Sequence, residues 1–567
     1  MLCFRCITFA RLIQRLQTRP YHARAKAHDN RPMTVRRRDE QSEPQRTPKR
    51  MKFSGAQNAQ ITLLPAEKLL RDLLLDCRNE LDDPSSLGMW ITGGWVRDRL
   101  LGIPCSDVDI ALSSMTGVQF GNALTSFLEK NGQSYLDRAN QLGLPKSKFS
   151  GFNTTKKNLD KSKKLETAVG RLFGLDLDLV NLRKEVYEED SRTPEMEFGT
   201  PEEDAFRRDA TVNSMFYDLI EEKVVDLTGK GLEDLSARIM RTPLEPRQTF
   251  LDDPLRVLRL IRIGSKLGYD IDPGVTDSMA QDEIHKALND KVSRERVGIE
   301  VFKMMKGKNT HVAFEVLYKT NLYETVFLGL DSGIRKKLDQ LPSDSPWPKP
   351  WIKAVRTISG MADTQFAMLK DIVAAEDTRE QLWTMVAYCP LAKLEMDMKQ
   401  RKEMIPQIQD ALRLTKVLAK LLDTAHANYE YCRALVRDTE ADEAPTRSSV
   451  GMKIRKMGAD WRMQLMFAAT GEIVYDPQAQ PGSPEILQKY ESFLQTAKRL
   501  HLLDVVSVRP IINGTTIIKL LGSKGGPWLA GAMEKLVAWQ LDHTEAGEEE
   551  AKAWLVENRE MLLAHPA

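Results

Sequence analysis

GGWVRDRLLGIPCSDVDIAL, which spans residues 93–112, joins two glycines, a short helix and a strand that carries two aspartates. Residues two apart in a strand point to the same face and lie about 6–7 Å apart. Asp107 and Asp109 therefore share one face of the predicted strand, while the apolar residues that alternate with them form its buried face. Two carboxylates at this spacing can hold a pair of Mg²⁺ ions, which lie about 3.5–4 Å apart in two-metal sites.

The glycines of this stretch predict a phosphate-binding turn. Gly93 and Gly94 precede a predicted helix over residues 95–101. Glycine lets the backbone approach a ligand closely, and the N–H groups at a helix N-terminus attract phosphate. Taken singly, a glycine pair is usually a turn, and D-x-D is common at exposed strand ends. Together, on an otherwise apolar strand, the two motifs favour nucleotidyl transfer.

A second alternating strand is predicted in GLDLDLVNLRKEVY, residues 174–187, whose leucines face the core. Asp176 and Asp178 face away from that core. A third carboxylate beside the D-x-D strand would complete the metal site and accept the proton of an attacking hydroxyl. The period of the strand does not choose between the two aspartates.

EEDAFRRDATVNSM, residues 202–215, predicts contacts to the sugar and phosphates of a nucleotide. The guanidinium groups of Arg207 and Arg208 can bind triphosphate oxygens bidentately. Asp209 and Asn213 can reach ribose hydroxyls, which would select NTPs over dNTPs. The alternative is a charged, exposed helix face. Because adjacent residues on a helix do not face the same ligand, one of the two arginines is predicted to be structural.

FLDDPLRVLRLIRIGSKLGY, residues 250–269, predicts a helix with Pro254 in its first turn and Asp252 and Asp253 at its N-terminus. As structure alone, this is a helix cap. However, Asp253 and Arg256 are three residues apart and share a helix face, where they offer an acceptor and a donor. Cytosine and adenine present the complementary donor and acceptor, whereas uracil and guanine present the reverse order. One Asp–Arg pair can therefore accept C and A without a template strand, with a discrimination of about 1–3 kcal/mol.

These motifs together resemble the CCA-adding tRNA nucleotidyltransferases of the bacterial and eukaryotic class, within the polymerase-β-like nucleotidyltransferase superfamily. The resemblance covers residues 88–305 and is most specific in the helix that follows FLDD. It implies an α+β fold, with a small mixed β-sheet head followed by all-α neck, body and tail domains. It also implies addition of C, C and A to the 3′ end of tRNA from CTP and ATP, with release of pyrophosphate.

The resemblance also implies the roles of individual residues. Asp107, Asp109 and Asp178 would be catalytic, and Asp107 and Asp109 would bind Mg²⁺. Asp178 is favoured over Asp176 because the family has an acid followed four residues later by an aromatic residue or leucine and then Arg or Lys, as in Asp178–Leu182–Arg183. Nucleotide binding is assigned to Gly93, Gly94, Arg97, Asp98, Arg207, Arg208, Asp209, Asn213, Asp252, Asp253, Arg256 and Arg259. The family commonly has glutamate where this chain has Asp252.

Five segments are expected along the 567 residues. They are a leader over residues 1–57, a catalytic head over 58–235, a helical neck over 236–305 that recognises the incoming base, a helical body over 306–440 and a helical tail over 441–567 that binds the tRNA body. Apolar periodicity predicts helices of the body and tail at residues 313–327, 379–387, 408–436 and 485–503. Residues 142–166 carry seven lysines and predict a mobile loop. In the resembled family, a flexible loop in this region matters for the switch to A addition.

The leader predicts mitochondrial import, because the first acidic residue is Asp29 and arginines alternate with apolar residues before it. Starts at Met33 or Met51 would skip the leader and give cytoplasmic and nuclear forms. No apolar run reaches the roughly 18–20 residues that span a bilayer, and the spacing of the six cysteines predicts neither zinc nor disulfides. A net charge of +2 means that RNA binding depends on local basic patches, and no obligatory protein partner is implied.

Two rival functions are considered for the chain. A poly(A) polymerase of the same superfamily is the nearer one, because the Asp253–Arg256 pair suits A as well as C. A catalytically inactive RNA-binding adaptor is the other, and its signature would be the loss of a metal-binding carboxylate. None of the three predicted carboxylates is lost here.

Overall fold

The computed structural model describes residues 59–145, 153–155, 167–186, 195–329, 333–341 and 348–563. The predicted leader, with Met33 and Met51, lies outside these ranges, as does most of the lysine-rich segment over residues 142–166. Across the described ranges, no helix has both the length and the apolar content needed to cross a membrane.

Residues 89–225 contain a seven-stranded sheet in the order β3-β4-β5-β2-β1-β8-β9. β2 and β5 are parallel, whereas the other neighbours in this sheet are antiparallel, so the sheet is mixed as predicted. Two further pairs, β6–β7 and β10–β11, stand apart from it. The strands are β1 (Met89–Thr92), β2 (Asp107–Leu112), β3 (Asn153–Thr155), β4 (Thr167–Leu172), β5 (Leu175–Asn181), β6 (Arg183–Val186), β7 (Glu195–Phe198), β8 (Phe216–Asp218), β9 (Lys223–Val225), β10 (Ile239–Met240) and β11 (Asp270–Ile271).

Helices flank this sheet and form the rest of the molecule, which gives the α+β class expected from the sequence. Up to residue 319 they are α1 (Pro65–Asn79), α2 (Gly94–Leu100), α3 (Gly117–Gln141), α4 (Pro201–Phe206), α5 (Gly231–Ala237), α6 (Pro246–Asp252), α7 (Leu255–Leu267), α8 (Pro273–Met279), α9 (Asp282–Lys291), α10 (Arg294–Met305) and α11 (Thr310–Lys319).

The remaining helices lie between residues 333 and 563. They are α12 (Gly333–Asp339), α13 (Trp351–Gly360), α14 (Ala367–Ala374), α15 (Arg379–Tyr388), α16 (Met398–Leu412), α17 (Lys416–Ala427), α18 (Tyr429–Ala441), α19 (Arg447–Met457), α20 (Trp461–Tyr475), α21 (Pro484–Arg499), α22 (Gly514–Leu520), α23 (Trp528–Asp542), α24 (Glu548–Glu557) and α25 (Arg559–Leu563).

The strand predicted over residues 174–187 is two strands. β5 ends at Asn181, Leu182 donates its N–H to the Leu112 carbonyl at 2.8 Å, and β6 then pairs with β7 in a separate sheet. The leucines of β5 occupy odd positions, whereas the fully buried Leu182 is out of phase with them. This phase change marks the break, and the single-strand prediction overlooked it.

The start of α7 also differs from the prediction. Pro254 is the N-cap and not part of the first turn, and Asp252 is the last residue of α6. Asp253 lies between the two helices in an extended conformation, and its Oδ1 accepts the N–H of Leu255 at 3.2 Å. The two predicted N-terminal acids therefore belong to different elements, and only the side chain of Asp253 accepts a backbone N–H at the start of α7.

Two long helices predicted downstream are interrupted. Residues 408–436 form parts of α16, α17 and α18, because Arg413 adopts a left-handed conformation (φ 54°) and Thr415 caps the next helix. Likewise, α11 stops at Lys319, and Asn321 (φ 55°) precedes a short π-helical turn over Glu324–Leu328. Apolar periodicity continues across such breaks, so it does not locate them.

α10 lies between two other helices, α7 and α16, and contacts both of them. Gly298 makes the contact with α16 possible, since a Cβ there would lie 2.1 Å from the Leu412 carbonyl oxygen. Arg294 donates to the carbonyls of Ala411, Thr325 and Val326 at 2.5–2.8 Å. These bonds fix the position of α10 and hence of the side chains it presents to α7.

Gly117, the first residue of α3, should be sensitive to substitution. A Cβ there would lie 1.8 Å from the Leu179 carbonyl oxygen of β5. We expect Gly117→Ala to lower the free energy of unfolding by about 1–3 kcal/mol or more, because the helix must move off the sheet. Urea denaturation measures the change. The control Gly531→Ala, in α23 with open space around the new methyl group, should be neutral or stabilising by up to about 1 kcal/mol. Equal effects would contradict this packing.

Candidate active site

Three aspartates meet where β2 and β5 run side by side. In the parallel ladder, Asp109 is the partner of Asp178, and Asp107 is the partner of Asp176. Neighbouring strands lie about 4.8 Å apart. Asp178 is half-buried, whereas Asp176 is exposed and forms an ion pair with Arg171 (3.4 Å). The residue directly beside Asp109 is therefore Asp178.

The pKa values of two of these carboxylates reflect their crowding. Burial, with the charges of Asp107 and Asp178, raises the pKa of Asp109 to about 6, against the opposing effect of nearby arginines. Burial and the charges of Asp107 and Asp176 also raise the pKa of Asp178. Carboxylates that repel one another in this way favour a bound cation, which would lower these pKa values again.

The donor set fits a hard divalent cation. Mg²⁺ is commonly held by one or two carboxylates, with substrate phosphates and water completing the shell. Asp107 and Asp109 supply such a pair. In the ranges that the structure describes, no group of three or more histidine, cysteine, aspartate or glutamate side chains is assembled to hold an ion by itself.

Gly93 allows two functional side chains to approach the backbone. It has a positive φ of 74° between β1 and α2. A Cβ at this position would lie 3.2 Å from Nη1 of Arg208 and 3.4 Å from Oδ2 of Asp109. Glycine is the residue that tolerates both this conformation and this crowding.

Arg207 and Arg208 both line the cavity beside the aspartates. The expectation that one of them is structural assumed a helix, but α4 ends at Phe206 and leaves both arginines beyond its last turn. Nε of Arg207 donates to Oδ1 of Asp204 at 3.0 Å, and Nη2 of Arg208 donates to Oδ2 of Asp204 at 2.7 Å. One carboxylate thus orients both guanidinium groups.

Asp204 is a site residue that the motif analysis missed. Its side chain is 2% exposed. Burial by itself would raise the pKa of Asp204, but Arg208 and Arg207 outweigh it and hold the pKa below its ordinary value. The spacing of an acid three and four residues before two arginines was the available signal, because such residues are neighbours at a helix end.

A chain of polar contacts connects α2 to α7. Arg97 pairs with Asp98 (2.7 Å) and donates to the side-chain oxygen of Asn213. Nδ2 of Asn213 donates to Asp209 at 2.9 Å, and Nε of Arg259 donates to the other oxygen of Asp209 at 2.8 Å. Asp209 and Asn213, which are predicted to contact the ribose, therefore also form the middle of this series of polar contacts.

Asp253 and Arg256, the predicted base-recognising pair, line the same cavity as Asp107 and Asp109. Oδ2 of Asp253 lies 3.5 Å from Nη2 of Arg296 on α10. Arg256 is buried, and its Nη1 donates to the Thr249 carbonyl at 3.3 Å.

Asp252 is not among the residues lining this cavity. Its Oδ1 accepts a hydrogen bond from Nε2 of Gln248 at 2.6 Å.

The cavity has a volume of about 800 Å³, within the range of small-molecule sites. Its head wall carries Asp107 and Asp109, and its neck wall, formed by α7 and α10, is rich in cations. The basic residues that line it are Arg97, Arg183, Arg207, Arg208, Arg256, Arg259, Arg262, Lys266, Arg296 and Lys303. Paired acids on one wall, with cations around them that can bind phosphate, form the arrangement that a nucleotidyltransferase needs.

Comparisons with known proteins also point to a nucleotidyltransferase. Residues 89–241 match the poly A polymerase head domain, and residues 268–334 match a probable RNA and SrmB-binding site of polymerase A. The mitochondrial CCA tRNA nucleotidyltransferase of Candida glabrata is 34% identical in sequence. The alignment covers 82% of this chain and 89% of the Candida protein. The tRNA nucleotidyltransferase cca2 of Schizosaccharomyces pombe is 32% identical over 88% of this chain and 99% of its own. This chain belongs to the family of CCA tRNA nucleotidyltransferases.

Solved structures show the same fold. A CCA-adding enzyme in an apo form has a TM-score of 0.57 at 19% identity, covering 86% of this chain and 95% of its own. A CCA-adding enzyme in complex with CTP has a TM-score of 0.56 at 20% identity, covering 89% of this chain and 97% of its own. Nucleotidyltransferases of this superfamily use divalent metal ions, as the aspartates here also indicate.

The contact between Asp209 and Arg259 should make stability depend on pH. Burial would raise the pKa of Asp209, but Arg259 and Asn213 hold it at about 2, below the ordinary 3.8. The contact therefore stabilises the fold above about pH 4, and the contribution, on the order of 2 kcal/mol, is lost as the pH falls towards 2. We expect Asp209→Asn to be less stable than wild type at pH 7, with a smaller difference at pH 3.

Urea denaturation at both pH values measures that difference. The control is Asp371→Asn, at an exposed position on α14. Its free energy of unfolding should differ from that of wild type by the same amount at pH 7 and pH 3. A constant difference between Asp209→Asn and wild type at the two pH values would show that the ion pair does not supply the pH dependence.

Proposed function

We propose that this chain adds C, C and A in turn to the 3′ end of tRNA, from CTP and ATP and without a nucleic-acid template. The observation that carries the proposal is that Asp253 and Arg256 line the same cavity as Asp107 and Asp109. The names of the relatives support it. So do solved complexes of CCA-adding enzymes of this fold with tRNA, with CTP and with ATP.

The reaction forms one bond and breaks another at the α-phosphorus of the nucleotide. The 3′-hydroxyl oxygen of the RNA attacks this phosphorus, and the bond to pyrophosphate breaks. Asp178 lies beside the D-x-D strand and accepts the hydroxyl proton as the general base. Asp107 and Asp109 hold Mg²⁺, which when bound supplies charge stabilisation at the reacting phosphate.

Arg207 and Arg208 bind the triphosphate in this proposal. Asp204 holds both guanidinium groups at one place in the cavity wall. Charge-assisted bonds from guanidinium groups to phosphate oxygens are strong and directional. Gly93 keeps the adjacent backbone free of a side chain that would separate Arg208 from Asp109.

The ribose contact stays a prediction for Asp209 and Asn213. In the structure, each oxygen of Asp209 accepts a hydrogen bond from the protein. A carboxylate oxygen can accept more than one such bond. A 2′-hydroxyl group can therefore still donate to Asp209, which keeps selection of NTPs over dNTPs compatible with this geometry.

Base choice rests on Asp253 and Arg256. A carboxylate acceptor and a guanidinium donor match the Watson–Crick edges of C and A and oppose those of U and G. Arg296 and the Leu255 N–H hold Asp253, and the Thr249 carbonyl holds Arg256. Fixed side chains of this kind replace the complementary strand that directs a templated polymerase.

A poly(A) polymerase is the second candidate, favoured by the match of residues 89–241 to a poly A polymerase head domain. A tRNA transcript that lacks its terminal CCA, incubated with purified protein and each NTP alone or in combination, separates the two. We expect CTP to extend the transcript first and ATP to extend it once after the two cytidines. Incorporation of adenosine alone, repeated along the strand, would contradict CCA addition.

Mitochondrial import is proposed for the full-length chain. Six basic residues precede the first acid, Asp29, and two relatives are named as mitochondrial. Starts at Met33 or Met51 would give cytoplasmic and nuclear forms. Residues 1–28 fused to a fluorescent protein should direct it into mitochondria, and a diffuse signal would contradict the proposal.

Removing a catalytic carboxylate should abolish incorporation without releasing RNA. We expect Asp109→Ala and Asp178→Ala each to lower nucleotide addition by about 10²–10³-fold or more, because charge at the reacting phosphate is no longer stabilised or the proton no longer accepted. The matched control is Asp176→Ala, because Asp176 lies on the same strand as Asp178 but is exposed and paired with Arg171. Single-turnover extension of the transcript and its binding by filter retention measure the two effects. Normal turnover in Asp109→Ala would contradict the metal assignment.

Removing the guanidinium donor should weaken base choice. We expect Arg256→Ala to reduce discrimination against UTP and GTP by about tenfold to a hundredfold, the equivalent of one bidentate contact. Arg256→Lys keeps the charge but not the bidentate geometry, so it should lose discrimination as well. The ratios of kcat/KM for the four NTPs measure this. Unchanged ratios in both variants would place base recognition elsewhere.

A further inference from the structure

Two lysines at one end of the cavity have no ionic partner within the described ranges. Lys266 on α7 and Lys303 on α10 both line the cavity and are exposed. Three arginines of the same helices are neutralised instead, since Arg259 pairs with Asp209, Arg262 with Glu300 and Arg296 with Asp253. The cavity therefore ends in two uncompensated positive charges.

The helices place these lysines together. The ion pair between Arg262 and Glu300 joins α7 to α10. Lys266 follows Arg262 by four residues and Lys303 follows Glu300 by three, so each lysine lies one turn beyond the ion pair on the same helix face. Two ammonium groups on neighbouring helices thus border the same end of the cavity.

This end is separate from the part assigned to the nucleotide. Lys266 is ten residues beyond Arg256, which is about 15 Å along the helix. The triphosphate is assigned to Arg207 and Arg208 on the head, and the base to Asp253 and Arg256. Phosphates that contact these lysines would therefore belong to a second molecule that enters the same cavity.

We propose that Lys266 and Lys303 bind phosphodiester groups of the last nucleotides of the RNA acceptor strand. The inference rests on the proposed function, because the strand whose 3′-hydroxyl reacts must lead into this cavity. Single-stranded RNA carries closely spaced phosphates, and lysine binds them as a mobile point charge without a fixed bonding geometry. Such contacts suit a 3′ end that changes sequence with each added nucleotide.

Salt dependence is the expected signature of these contacts. Each lysine that neutralises a phosphate of a single strand contributes about −0.7 to the slope of log K against log salt. The double variant Lys266→Ala/Lys303→Ala should reduce the steepness of that slope by about 1.4 and weaken RNA binding about 20-fold near 0.1 M salt. The KM values for CTP and ATP should stay unchanged, because the nucleotide is held elsewhere.

The experiment measures binding of the full-length chain to a tRNA transcript lacking CCA, by fluorescence anisotropy from 50 to 300 mM KCl. The matched control is Lys68→Ala/Lys130→Ala, which removes two exposed lysines of α1 and α3 that also lack ionic partners in the described residues, do not line the cavity and lie outside residues 268–334. It should bind like wild type. Lys266→Arg/Lys303→Arg keeps both charges and should retain affinity and slope.

Three results would overturn the inference. One is a slope and affinity for the double variant equal to those of the control. Another is a raised KM for CTP and ATP with unchanged RNA binding, which would assign the lysines to the triphosphate. The third is a wild-type protein that does not bind RNA. If the double variant binds RNA weakly while the wild type adds no CCA, the lysine site stands and the proposed function fails.

Discussion

The parallel pairing of β2 with β5 is the constraint that shapes this molecule. Its register sets Asp178 beside Asp109 and so brings like charges together in a partly buried place. Repulsion and burial raise the pKa of Asp109 to about 6. Such an arrangement is costly in an apo protein and becomes favourable when a cation and substrate phosphates arrive. The surrounding structure tolerates this cost because the strands are fixed by the helices packed against them, as the close contact of Gly117 with β5 illustrates.

Acidic side chains orient most of the arginines that surround the aspartates. Asp204 holds Arg207 and Arg208, and Asp209 holds Arg259 on the opposite side of the cavity. Buried carboxylates of this kind counter the charge of a guanidinium group and fix its direction, so less freedom is lost when a phosphate binds. Because Asp209 belongs to the head and Arg259 to α7, the same contact also joins the head to the helix that carries Arg256.

Much of the fold was accessible from the sequence because it is encoded locally. The predicted strand of Asp107 and Asp109 is β2, and the helix predicted over residues 95–101 is α2, displaced by one residue. Errors arose where a break is imposed by single residues inside a periodic stretch, as at Leu182 and Arg413. The expectation that only one of Arg207 and Arg208 can face a ligand assumed that both lie on a helix. That helix, α4, ends at Phe206, one residue before the first arginine.

The sequence by itself determined the chemistry available to this protein: the acids, arginines and glycines, and the strands that carry Asp107, Asp109 and Asp178. It did so because alternation and helical spacing are properties of neighbouring residues. Only the tertiary structure decided that Asp178 stands beside Asp109, that Asp204 serves both arginines, and that α7 and α10 close one cavity with the sheet. Those relations join residues from segments distant in the chain, and their geometry depends on packing and strand register, which no local pattern records.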